Sequence, residues 1–459
     1  MHDLLSTLIE ILGPEGVLSG KALDGRAAGI WSKEPFQAMA LVRPASTEEV
    51  SAVLKVCYEA NQSVVPVGGM TGLVGAHITG PNDIALSLER MNVIESVDLQ
   101  SRKMTVQSGV ILEKIHQRAT EANLMFPLDL GARASCTIGG NIATNAGGVR
   151  VLRYGMTRSL ILGLEAVLAD GTIISSMSGL MKNNTGYDLS QLFIGAEGTL
   201  GVVTRAILRL YEAPKSVETA LLAVPSWDAV MALLRRFDGA LSGGLVAFEV
   251  MWRNYFELNT GPYSDLSSPL SESTPFYVFI DVFVNDTKTG REALEALLME
   301  NIESGDIVDA VIAQSETQRQ KIWQIREDFE PEKKQYGQTF SFDVSLDIEI
   351  LDRYVEAARE KLKDVLPAAE LFVLGHVGDG NIHLVAANIA QNDVSKVNEI
   401  IYQPLKGLNG SVSAEHGIGL NKKAYLSITR SPEEINLMRQ LKKTLDPRGI
   451  MNPGKVFDS

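Results

Sequence analysis

Two hydrophobic rhythms alternate along the first half of the chain. Residues 47–61 (TEEVSAVLKVCYEAN) open on a threonine in the capping position and two acids, then place apolar residues at helical spacing, which predicts a helix. SVVPVGG follows as a short buried strand running into a glycine turn, and DIALSL, KMTVQSG, LILGLEAVLADGTII and GVVTRAILRLY read as further strands. Leu112, Ile115 and Ala119 share one face of a second predicted helix over 111–123.

The pattern changes after Ala213-Pro214. Strands over 219–224, 245–251 and 276–284 alternate with helices over 226–237 and 287–303, predicting an antiparallel sheet with helices on one side. Residues 257–275, rich in Ser, Pro, Thr and Gly, are expected to form a surface excursion. Towards the end, PEEINLMRQLKKTLDP is helical and leads into PRGIMNPGKVF.

At 459 residues the chain is too long for a single core, so two or three domains are expected. A net charge of −14 argues against nucleic-acid binding, which needs a basic face to neutralise phosphates. No run approaches the length of a membrane-spanning helix, and the first residues carry acids where a signal peptide would be basic. Cys57 and Cys136 lie in unrelated contexts, and Cys57 fits a helix face with Val50, Val53 and Leu54, so a buried thiol is expected rather than a disulfide. These features lead to the expectation of a cytoplasmic protein, with peripheral membrane association left open.

Three of the six histidines fall between 376 and 416. LFVLGHVGDGNIHLVAA contains two apolar strands around Gly378-Asp379-Gly380-Asn381, all turn formers, so a hairpin is expected in which Val377 pairs with Ile382 and His376 with His383. Paired residues in an antiparallel ladder share a face with Cβ atoms about 5 Å apart, which suits two imidazoles to one metal ion. Glu415, in the glycine-flanked SAEHGIG loop, is the candidate third ligand. Two imidazoles and a carboxylate leave coordination positions open, as catalysis requires, and they suit zinc, manganese, iron or cobalt. The neighbouring His416 is then available as a general base.

Glycine is the second chemical signal. In PVGGMTGLVG, Gly68, Gly69, Gly72 and Gly75 can present successive backbone N–H groups to a phosphate, although the spacing is not the dinucleotide fingerprint. GARASCTIGGNIATNAGGVRVLRYG and NNTGYDLSQLFIGAEGTLGVVT repeat that character, and together the three segments point to an extended cofactor approached closely by backbone.

Taken together with GHVGDGNIH, SAEHGIG and LDPRGIMNPGKVF, these segments resemble the FAD-linked D-2-hydroxy-acid dehydrogenases. These belong to the vanillyl-alcohol-oxidase and p-cresol-methylhydroxylase flavoproteins, and the subgroup matched contains D-lactate and D-2-hydroxyglutarate dehydrogenases. The resemblance implies an α+β protein: a two-part FAD-binding domain over 1–213, an antiparallel-sheet α+β substrate (cap) domain with the metal site over 214–419, and a helical segment over 420–459 returning to the FAD domain. It places the FAD pyrophosphate on the loop around Pro66, Gly68, Gly69, Thr71 and Gly72. Further FAD contacts are implied at Pro127, Gly131, Ser135, Gly139 and Asn141, then at Thr144, Asn145, Gly147 and Gly148. Glu197, Gly198 and Val203 extend the set, and Asn452 is implied near the flavin ring. Met70 stands where some relatives attach FAD through a histidine, so non-covalent FAD is expected.

WQIRED resembles the family's substrate-gripping segment, making Arg326 the expected clamp on a carboxylate, for which a planar and permanently charged fork is suited. The pattern departs from the D-2-hydroxyglutarate enzymes at three positions: Glu330 stands where they have Thr, Ser341 where they have Lys, and Val385 where they have Asn. These departures favour a substrate whose distal end carries no second carboxylate. The resemblance also implies an electron acceptor such as a quinone, an electron-transfer flavoprotein or a cytochrome, and is compatible with a homodimer. A flavin transferase resembling alkylglycerone-phosphate synthase, and a metal-dependent hydrolase or binding protein with merely structural glycines, are the competing classes.

Overall fold

The computed structural model describes residues 2–30, 32 and 34–458. The chain forms two compact units, one made of residues 1–148, 154–213 and 415–459, the other of 149–153 and 214–414. The second unit thus gives way to the first at Glu415, five residues before the 420 expected from sequence, and a short piece of the second glycine segment clusters with the second unit.

The first unit holds two main sheets. Strands β1 (Val17–Leu18), β2 (Ala40–Val42), β3 (Val64–Val67) and β4 (Ile84–Ser87) form a sheet in the order β1-β2-β4-β3, with β2, β4 and β3 mutually parallel. Helix Thr47–Glu59 buries Val50, Val53, Leu54 and Cys57 in the core beneath this sheet. Its cap is Ser46, whose hydroxyl accepts from the Glu49 amide at 3.2 Å, and not Thr47, whose hydroxyl instead donates to buried Glu165.

The second sheet uses β5 (Ile94–Asp98), β6 (Lys103–Gln107), β8 (Ile161–Val167), β9 (Ile173–Ser176) and β10 (Val202–Arg209), all antiparallel, in the order β5-β6-β10-β8-β9. β7 (Leu124–Met125) and β11 (Tyr211–Glu212) pair as a separate ribbon. Helix Leu112–Glu121 buries Leu112, Ile115 and Ala119 in the core of this region.

The closing segment is fastened along β3. The Val64 amide donates to Ile450 O and the Asn452 amide to Val64 O, both at 2.8 Å. Lys442, buried on helix Pro432–Leu445, donates to the carbonyls of Thr199 and Met451 and pairs with Asp446. A buried ammonium is tolerated because all of its donors' directions meet acceptors.

The second unit is one antiparallel sheet of β12 (Ser216–Val224), β13 (Leu245–Trp252), β14 (Phe276–Val284), β15 (Asp309–Ile312), β16 (Phe340–Ser345), β17 (Glu370–Gly375) and β18 (Asn381–Ala387), ordered β15-β12-β14-β13-β17-β18-β16. Helices cover both faces, contrary to the one-sided arrangement expected from sequence. Helices Arg253–Thr260 and Glu316–Glu327 join Leu221, Ala247, Phe279 and Leu374 in one core, while Trp227–Ala240, Thr287–Glu303 and Leu351–Val365 cover the alternate residues. The reason is visible in β13, where all eight residues are buried and neither face can be left to water.

The excursion expected over 257–275 begins later than its composition suggested. Residues 253–260 form a helix whose Tyr255, Phe256, Leu258 and Asn259 are buried, with Asn259 Nδ2 donating to Ile325 O at 2.8 Å and Asp328 O at 2.9 Å. Only beyond Gly261 does the exposed, serine-rich stretch start.

Candidate functional site

In the first unit a cavity of about 330 Å³ opens between the glycine segments. Its wall includes Pro66, Gly68, Gly69, Met70, Thr71 and Gly72 from the first segment, and Ser135, Gly139, Asn141 and Thr144 from the second. Glu197, Gly198 and Val203 contribute from the third. Several of these positions admit no side chain: a Cβ on Gly69 would collide with the Ser135 carbonyl, one on Gly68 would come within 2.6 Å of Thr137 Oγ1, and one on Gly139 within 2.7 Å of Ser108 Cβ. Backbone packed this closely forms a cradle that fits a long phosphorylated cofactor such as FAD. Helix Ile138–Thr144, capped by the Thr137 hydroxyl accepting from the Gly140 amide, lies in the same wall.

Six residues expected at FAD lie outside this wall. Asn145 ends that helix in the left-handed conformation, with its side-chain oxygen accepting from the Arg158 amide. Gly148 passes so close to the Asp129 carbonyl that a Cβ would collide with it, and Gly147 packs against the Glu415 carboxylate, 2.7 Å from where its Cβ would stand. Asn452 is buried behind the wall and donates to the carbonyls of Ala76 and Glu197, at 3.1 and 2.6 Å. Pro127 and Gly131 belong to the adjoining loops. Conversely, His77, Ser108, Thr137 and Lys114 line the cavity without having been singled out from sequence.

Glu197, which lines the cavity, also has a structural task. Its backbone is left-handed (φ 51°), and its buried carboxylate accepts from the amides of Ile418 and Gly419 at 2.8 and 2.9 Å. Burial raises its pKa against the lowering effect of those two N–H groups. The carboxylate therefore anchors the loop that carries Glu415 and His416, while the residue's remaining surface contributes to the cavity.

In the second unit a charged cluster sits on the sheet face covered by helix Glu316–Glu327. Glu249, fully enclosed in β13, accepts from His376 Nδ1 at 2.6 Å and from Arg326 Nε at 2.9 Å. Burial alone would raise the Glu249 pKa, but its contacts with His376 and Arg326 outweigh it and hold the carboxylate below its ordinary range. Arg326 NH2 also lies 3.3 Å from His376 Nε2. The expected clamp is thus buried and already engaged along one edge of its guanidinium.

His376 and His383 do meet, but not in the expected register. β17 and β18 pair Leu374 with His383, so the ladder is displaced by two residues and His376 falls just beyond the end of β17. The connection is longer than a four-residue turn: Val377–Asp379 make a 3-10 turn, and Gly380 (φ 80°) closes it in a conformation suited to glycine. A displacement of two keeps side chains on the same face, whereas one residue would have separated them. The rings stand 5.3 Å apart between centroids and near perpendicular, with ring nitrogens within 4.8 Å of one another. His383 Nδ1 is 3.9 Å from the Asp343 carboxylate, so each imidazole has a carboxylate on its Nδ1 side. Metal-binding histidines characteristically have a hydrogen-bonded carboxylate such as His376 has in Glu249, and the two ring nitrogens lie close enough together to fit a divalent cation.

The three specificity positions have unequal surroundings. Val385 is buried opposite Phe372, in the core that includes Ile325 and Tyr336, and it pairs with Ser341 on β16. Glu330 is largely exposed and paired with Lys333, so its charge is screened and contributes little to the argument from sequence. Near the hairpin, burial pushes the Asp379 carboxyl up to about 6, partly countered by His376.

Sequence reasoning missed Glu249 and Asp343. A signal was present: a single acid interrupts otherwise apolar runs in VAFEVMW and FSFDVS, and an acid at such a position needs a partner.

Among described residues no helix is long and apolar enough to cross a membrane. The family model described as FAD linked oxidases, C-terminal domain, matches residues 213–456, and one described as FAD binding domain matches 38–176. Mitochondrial D-2-hydroxyglutarate dehydrogenase of Rattus norvegicus is 41% identical over 420 residues, spanning 91% of this chain and 78% of that protein. D-2-hydroxyglutarate dehydrogenase of Xanthomonas citri pv. viticola is 39% identical over 445 residues, spanning 94% and 90%. Two solved structures share the fold at low identity. p-Cresol methylhydroxylase with substrate bound has a TM-score of 0.76 at 15% identity, covering 100% of this chain and 97% of that one. Alkyldihydroxyacetonephosphate synthase has a TM-score of 0.77 at 16%, covering 99% and 86%. The α+β flavoprotein architecture expected from the motifs is borne out.

Proposed function

This chain belongs to the FAD-linked oxidases, and from that membership we propose that it oxidises a D-2-hydroxy acid to the 2-oxo acid, with non-covalent FAD as hydride acceptor. The observation that carries this reading is the pair of imidazoles beside a buried guanidinium, with Glu249 hydrogen-bonded to His376 Nδ1. An α-hydroxy carboxylate offers the oxygens and the negative charge that such a cluster recognises.

In this reading His376, His383 and Glu415 would hold a divalent cation, zinc being the first choice and manganese, iron or cobalt also suitable. A cation held there would supply Lewis acidity toward the substrate oxygens, making the hydroxyl more acidic. FAD held by the glycine cradle would supply the hydride acceptor for the α-hydrogen. His416 takes the hydroxyl proton as general base, on a loop fixed by Glu197. Arg326 anchors the substrate carboxylate with the part of its fork that Glu249 does not occupy. A quinone, an electron-transfer flavoprotein or a cytochrome would serve as the electron acceptor. A cytoplasmic location and a homodimer belong to the same proposal.

The substrate's distal end is proposed to be uncharged, as in D-lactate or a larger aliphatic acid. What supports this is Val385, two residues past His383 on the same strand face and packed in an apolar core, with Ser341 rather than a cation opposite. A second reading, D-2-hydroxyglutarate itself, is favoured by the names of the relatives. Steady-state kcat/KM for the two substrate types separates them. We expect D-lactate-type acids to be preferred by at least tenfold; preference for D-2-hydroxyglutarate contradicts the uncharged distal end while leaving the reaction class intact.

A further inference from the structure

Glu249 lies 127 residues from His376 in sequence, and no motif draws attention to it. Its surroundings nevertheless fix the chemistry of that histidine from two sides. A carboxylate can only accept, so its 2.6 Å contact requires a hydrogen on His376 Nδ1. A guanidinium can only donate, so Arg326 NH2 at 3.3 Å requires the lone pair on Nε2. Both requirements select one neutral tautomer, whose single Nε2 lone pair meets Arg326 in the metal-free protein and is the one that a cation would take in place of that contact.

We propose that Glu249 is a positioning residue that fixes His376 in its Nδ1–H tautomer and ring orientation, so that Nε2 is the nitrogen presented to a divalent cation. The inference rests on the metal reading given above. It assigns Glu249 a role beyond neutralising Arg326, because the two glutamate oxygens are divided: Oε1 faces the imidazole and Oε2 the guanidinium.

The same helix supplies a matched control. Arg319, two turns before Arg326, pairs at 3.1 Å with Asp281, a carboxylate buried in the neighbouring strand β14 and also bound by Thr219 and Trp323. Asp281 and Glu249 are both buried acids facing an arginine of helix Glu316–Glu327, but only Glu249 touches a histidine.

The test is a chelator competition measuring zinc affinity of the FAD-loaded protein, with flavin content read from absorbance. For Glu249→Gln we expect zinc affinity to fall by roughly 10- to 100-fold with flavin content unchanged. Asp281→Asn should bind zinc as the wild type does. Wild-type affinity in Glu249→Gln, or an equal fall in Asp281→Asn, overturns the positioning role. Should Glu249→Gln fail to fold, Glu249→Asp decides: it keeps the charge but withdraws the carboxylate, and unchanged zinc affinity overturns the proposal. If wild-type protein binds no divalent cation, the metal reading itself falls and this inference with it; that outcome is distinct from wild-type binding shared by the glutamate variants.

Discussion

Around the cavity of the first unit the chain presents backbone; in the candidate cluster of the second unit it presents charged side chains. The cavity wall depends on Gly68, Gly69 and Gly139, where any Cβ would strike a neighbouring loop, so its requirement is for space and exposed amides. The cluster around Glu249 depends on charge placed without water, where each group is tolerated only because its neighbours satisfy it. The two regions should therefore fail differently: changes in the first should remove the cofactor, and changes in the second should spare it while removing chemistry.

The largest effect should come from Gly69→Ala. The new Cβ collides with the Ser135 carbonyl, and backbone cannot move aside as the end of a flexible side chain can. We expect the flavin-to-protein ratio measured by absorbance to fall at least tenfold. Full flavin occupancy in this variant would break the contrast, because the cradle would then tolerate what its geometry forbids.

A smaller effect sharpens the other side. In metal-free protein the Asp379 carboxyl is raised from its ordinary 3.8 to about 6, chiefly by burial. Between these values the folded state binds more protons than the unfolded chain, so this group's contribution to stability declines as pH rises from about 4 to about 6 and stays low above that. Asp379→Asn removes the penalty. It should stabilise metal-free protein at pH 7.5 by on the order of 3 kcal/mol, with the gain vanishing below about pH 4. Urea unfolding at both pH values checks this, and equal stability of variant and wild type at pH 7.5 contradicts it.

The same contrast explains what could be read from the chain. Glycine segments are local signals: Gly68 and Gly69 follow β3 directly, and the helical and strand periodicities around them place them on turns. The histidine pair was also local enough to find, and its face survived the register displacement because the displacement was even. The length of the hairpin connection was less legible, since GDGN suits a tight turn as well as the 3-10 turn that forms. Glu249 and Asp343 come from other strands, and only sheet order brings them beside His376 and His383. Their sequence signature, one acid in an apolar run, says that a partner must exist without saying which.

The central claim is that a D-2-hydroxy acid reduces the bound flavin with the help of the imidazole pair. Anaerobic mixing of the purified flavoprotein with a panel of D-2-hydroxy acids, followed by flavin absorbance, tests it most directly. The account predicts bleaching by at least one D-acid, none by its L-enantiomer, loss of bleaching after chelation, and no bleaching in His383→Ala although that variant retains its flavin. A flavin that stays oxidised with every acid, or that His383→Ala and chelated protein reduce as fast as the untreated wild type, would contradict it.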